Sequence, residues 1–150
     1  MIGTGLLTIN ARSRLDFNGA TDTIGNVVIV STGMASQSSS IINTAGTGNL
    51  TIGTLSITPV AGLVTTVNSG ASGTLTLGGT VTVTAATTGK AQIAGQTLAL
   101  GGNRTFTVAR GTATDFDFDI ASAITGSGNA YTAGGAGIIQ FSGSTANTYS

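Results

Sequence analysis

The groups in this chain best placed to do chemistry together are the carboxylates of Thr114-Asp115-Phe116-Asp117-Phe118-Asp119-Ile120. A strand sends alternate side chains to opposite faces, so this run is expected to turn Phe116, Phe118 and Ile120 inward. Asp115, Asp117 and Asp119 would then line up outward, about 7 Å between successive members. Carboxylates on one face are oxygen ligands for Ca²⁺, and these three are the candidate metal site. The Gly pattern of the Ca²⁺-binding nonapeptide is missing, and nothing nearby completes the roughly six to eight oxygens a site takes. The plainer reading is a solvated acidic face that discourages edge pairing.

Other polar groups offer less. Asp16 and Asp22 lie close in sequence to Arg12 and Arg14, an arrangement that reads as surface ion pairing of small energetic weight. Carboxylates in a groove would suit glycan cleavage. However, the chain has no His, no Cys and no Ser in a nucleophile-elbow frame, so it is expected not to be an enzyme and to carry no catalytic residue. The Gly-rich stretch 134–140 lacks the Lys and following helix of a phosphate loop and reads as a corner, so no cofactor is expected. Thr74, Thr76, Thr80, Thr82 and Thr84 have the T-x-T spacing of a hydroxyl array that could meet ice or a glycan. Ser56 and Ala99 stand at comparable places, which reads as drift in the register. The sequons at Asn49 and Asn103 read as chance in a Thr-rich chain.

These side chains must be positioned by strands. The 150 residues contain 24 Gly, one Pro and only 7% charged residues, with five Lys and Arg balancing five acids. Zero net charge leaves no basic face for nucleic acid and no polybasic anchor for a lipid surface. No run of about 18 apolar residues is present to cross a bilayer as a helix. A hydrophobic share of 40% is nevertheless too high for a disordered tail. Short alternating segments recur along the chain, among them NLTIG (49–53), TLSIT (54–58), TLTLGG (74–79), TVTVT (80–84), TLALGG (97–102), RTFTVARG (104–111) and IIQFSG (138–143). Their parity predicts an apolar inner face made of Leu50, Ile52, Leu75, Leu77, Val81, Val83, Leu98, Leu100, Phe106, Val108, Phe116, Phe118, Ile139 and Phe141. No helical period appears, and Gly with β-branched residues opposes one. Short strands in a loosely repetitive pattern favour a solenoid over a sandwich or barrel, and about 20 residues per coil would give about six or seven coils.

Residues 100–150 resemble the autotransporter-associated β-strand repeat of large bacterial surface proteins. Arg104 to Val108 corresponds to its "rTFtV" strand, Ile124 to Gly128 to its "I-xG-SG" turn, and 135–143 with 147–150 to its "GaGtLtLSGxNtYtG" segment. The runs at 14–30 and 72–85 are similar to further strands of such proteins, so the likeness reaches most of residues 1–150. Ile138-Ile139-Gln140-Phe141 departs from the commoner Thr-Leu-Thr-Leu. The resemblance implies an all-β, right-handed parallel β-helix forming one segment of a longer exported passenger, whose signal peptide and outer-membrane β-barrel lie elsewhere. It also implies a non-enzymatic structural or adhesive role at the cell surface, with a neighbouring or host surface, a glycan or like chains as partners. An ice- or glycan-binding solenoid is the alternative, and a carbohydrate-active β-helix enzyme a distant one. An interrupted final coil is further expected to promote end-to-end self-association through Ile139 and Phe141.

Overall fold

A computed structural model describes residues 3–10, 12–31, 40–112 and 115–149. Among the described residues eighteen short strands follow one another, in triplets. The first triplet is β1 (Leu7–Asn10), β2 (Arg14–Asp16) and β3 (Asp22–Ile24), and the second is β4 (Val27–Val30), β5 (Ser40–Ile42) and β6 (Asn49–Ile52). Next come β7 (Leu55–Thr58), β8 (Val64–Asn68) and β9 (Thr74–Leu77), then β10 (Val81–Val83), β11 (Lys90–Ala94) and β12 (Thr97–Leu100). The last two are β13 (Arg104–Val108), β14 (Phe118–Ile120) and β15 (Ala123–Gly126), and β16 (Tyr131–Gly134), β17 (Ile139–Phe141) and β18 (Thr148–Tyr149).

Each strand pairs in parallel with the strand three places on, which yields three six-stranded sheets. Sheet 1 stacks β1-β4-β7-β10-β13-β16, sheet 2 stacks β2-β5-β8-β11-β14-β17, and sheet 3 stacks β3-β6-β9-β12-β15-β18. This is a β-solenoid. Six strands per sheet make six coils, about five full turns from β1 to β16, at the lower end of the six or seven coils expected. The coils are longer than anticipated: Leu7 pairs with Val27, Val27 with Leu55, Leu55 with Val81 and Val81 with Phe106, so after a first turn of 20 residues the repeat is 25 to 28. The extra length goes into the corners.

Parity sets the core. Ile9, Ile29, Ile57, Val83 and Val108 stack in one buried column of sheet 1, and Ile24, Ile52, Leu77 and Leu100 do so in sheet 3. Sheet 2 supplies Leu15, Ile41, Val67, Ile93, Ile120 and Phe141. A coil alone cannot bury its apolar side, so each becomes stable only by covering the next. Eleven of the expected inward residues are buried, from Leu50 through Phe118. The other three are not fully buried. Phe116 is half-buried outside the core, because it precedes β14 and lies beneath Lys90. Ile139 and Phe141 keep the inward parity, paired with Phe118 and Ile120, but β17 is the end strand of sheet 2 among the described residues, which leaves Phe141 41% exposed.

The corners are built by side chains that reach between coils. Asn43 accepts the Gly19 N–H at 2.6 Å and donates to the Ser69 carbonyl at 3.0 Å and to the Thr47 carbonyl, tying three successive coils at one corner. Gly48, with φ of +85°, sits where a Cβ would lie 2.2 Å from the Gly19 carbonyl oxygen. Only a residue without a side chain lets the two corner backbones stack so closely.

Candidate functional site

The outward positions divide the molecule by chemistry. Sheet 2 and its flanking corners carry most of the charge. Arg14, Ser40, Thr66, Gln92, Asp119 and Gln140 form one outward row there, with Lys90 on the same strand as Gln92. Sheets 1 and 3 present hydroxyl groups instead.

The three candidate metal-binding aspartates do not form the expected exposed line. Asp115 is exposed and pairs with Lys90, whose ammonium stands 4.1 Å from the Phe116 ring centroid. Asp117 and Asp119 are each only 3% exposed. The corner between β13 and β14 folds Arg110 and Gly111 over Asp117, and the next coil lays Ile138 on it. Oδ2 of Asp117 accepts from Arg110 Nη1 and from the Ile138 N–H, both at 2.8 Å, while Oδ1 accepts the Gly111 N–H at 2.8 Å. Asp119 lies in the outward row, and its Oδ2 accepts from Gln92 Nε2 at 2.9 Å and Ser142 Oγ at 2.8 Å. It thus stitches three coils together, as Asn43 does elsewhere. Asp119 keeps its outward parity but is not solvated, because neighbouring rows and a returning corner cover it. Among the described residues no group of three or more carboxylates, His or Cys converges on one point.

The electrostatics follow from these partners. Burial alone would push the Asp117 carboxyl up, but the Ile138 N–H, Arg110 and the Gly111 N–H outweigh it and hold the group below the ordinary carboxylate value of 3.8. Lys90 lowers Asp115 in the same direction. Asp16 is lowered by the Thr44 hydroxyl, which donates to it at 2.7 Å, together with the Asn18 N–H. So Asp16 is held mainly by neighbouring-coil hydrogen bonds, with Arg14 a small contribution, while Asp22 accepts the N–H of Thr23. Burial raises the phenol of Tyr131, which packs among Phe106, Phe141 and Tyr149 at the last coil.

The threonine run divides between two faces. Thr74 and Thr76 belong to β9 in sheet 3, whereas Thr80, Thr82 and Thr84 border or lie in β10 of sheet 1. Ser56 and Ala99 therefore do not interrupt a single array, and the register of each face is regular. In sheet 3, Thr23, Thr51, Thr76, Ala99, Thr125 and Thr148 occupy one column. In sheet 1, Ser56, Thr82 and Thr107 pair in one column. Thr105 pairs with Thr132 in the next, which the same register extends back through Thr80 to Thr54. Thr58 and Thr84 make a third, with their hydroxyls 3.0 Å apart. The sequon asparagines serve the scaffold: Asn103 Oδ1 accepts the Ala130 N–H at 2.9 Å, and Asn49 flanks Thr74 in sheet 3.

Sequence reasoning missed the inter-coil stitches. Asn43, Gln92, Asn26 and Ser142 act through partners about one coil away, a spacing visible only once coil length is known. The chain matches no protein-family model, no curated protein and no solved structure.

Proposed function

We propose that this chain is a non-enzymatic structural and adhesive segment of a secreted or cell-surface β-helical passenger protein, of the autotransporter-associated repeat type. The observation that carries this reading is the unbroken parallel ladder of all three sheets. Each coil touches only its neighbours, so such a rod gains length by adding coils and holds its flat sides at a fixed distance from any anchor. Short strands, Gly corners and side-chain stitches between coils support the same role. The resemblance of residues 100–150 to the bacterial repeat favours the extracellular side of an outer membrane, reached through a parent protein.

The test is immunolabelling of source cells with antibodies raised against the folded chain. Labelling of intact cells is the expected result, with loss of the epitope after brief external protease. Labelling only after permeabilisation would overturn the surface assignment.

A further inference from the structure

The outward face of sheet 1 has a second property that a stalk does not require. From β7 to β16 its outward positions are Thr54, Ser56, Thr58, Thr80, Thr82, Thr84, Thr105, Thr107, Ala109 and Thr132, ending on Gly134, so all but Ala109 and Gly134 carry a hydroxyl and not one is charged. Seven of these hydroxyl residues, all but Ser56 and Thr58, are exposed. Parallel pairing spaces them about 4.8 Å along the stack and about 6.6 Å along each strand. Every hydroxyl can both donate and accept, and each threonine adds a methyl whose χ1 is restricted by β-branching.

We propose that this face binds ice, holding waters in the spacing of the crystal lattice. The inference goes beyond the surface-stalk reading and does not depend on it. A two-dimensional lattice of neutral hydroxyls and methyls fits a partner that is itself periodic, uncharged and hydrogen-bonding in two directions. A sugar chain is periodic in one direction only, and glycan recognition ordinarily draws on aromatic platforms and fixed amide or carboxylate groups, which none of these outward positions supplies. Charges would instead hold their own hydration shells and disturb the lattice, and they gather around sheet 2.

The purified, fluorescently labelled chain should be enriched in slowly grown ice and should slow ice recrystallisation. Thr82→Lys and Thr107→Lys, at the centre of the face, should each reduce enrichment about tenfold. Thr76→Lys, outward on sheet 3, should leave it unchanged. Circular dichroism and melting curves for all three variants establish that each is folded. Exclusion of the folded wild-type chain from ice would overturn the proposal, as would an equal loss in Thr76→Lys. Capture by crystalline cellulose or chitin without enrichment in ice would overturn it in favour of a glycan ligand.

Discussion

Leu77 and Thr76 are neighbours in β9, yet the Leu77 side chain is fully buried while that of Thr76 stands in the outward column of sheet 3. Leu77→Asp should cost more than about 3 kcal/mol, because it buries a charge with no partner. Thr76→Asp should stay within about 1 kcal/mol. Denaturant melts of the two variants check this, and equal losses would contradict the inward and outward assignment. Asp117 makes a pH-dependent contribution of definite sign. The unfolded carboxyl takes up its proton near pH 3.8, whereas the folded one does so only at lower pH. In that window the unfolded chain binds more protons, so the Asp117 contribution is present above 3.8 and is lost as pH falls below it. Asp117→Asn should be less stable than the parent at neutral pH and show a shallower loss in acid. Melting temperatures from pH 7 down to pH 2 measure both, and parallel curves would contradict the role given to Arg110, Gly111 and Ile138.

At the scale of strands and corners, period-two alternation marks β6, β7, β9, β10, β12, β13, β14 and β17, but it does not mark β5, β8 and β11 of sheet 2 or β15, β16 and β18 of the last coils. Leu75 and Leu77, Val81 and Val83, and Phe106 and Val108 all face inward as their spacing requires. Coil length was not legible, because it depends on how far each corner bulges, and no residue type marks that distance. The same ignorance hid the fate of Asp117: a strand pattern cannot reveal that the Arg110-Gly111 corner folds back over it. Register between coils is not legible from spacing either, so a threonine run that looks like one drifting array in sequence serves two regular faces in the fold. The final coil has its own expected behaviour. Its strands β16, β17 and β18 are sheet edges, and Ile138 and Phe141 are exposed there. Amides of β16 to β18 should exchange faster than those of β9 and β12, and the apparent mass from light scattering should rise with concentration as chains associate through this end. Full protection of the last coil in a chain that stays monomeric at high concentration would contradict both expectations.

For the whole molecule, stability comes from repetition of one arrangement. Apolar columns run the length of the interior, hydrogen bonds run parallel to them in three sheets, and buried polar groups such as Asn43 and Asp119 connect the coils at the margins. Both the stalk role and the hydroxyl lattice rest on the register of those coils. The chain has no cysteine, so introduced pairs report that register without interference. Ser56 and Thr82 are outward partners on adjacent strands β7 and β10, within the Cα separation a disulfide bridges. Val83 is buried on the opposite side of the same strand. The most direct measurement is therefore the extent of disulfide formation under mild oxidation, compared between the double variants Ser56→Cys with Thr82→Cys and Ser56→Cys with Val83→Cys. The register predicts rapid, nearly complete intramolecular bridging in the first and little in the second. Bridging of the second pair in preference to the first would contradict the stacked-coil arrangement itself.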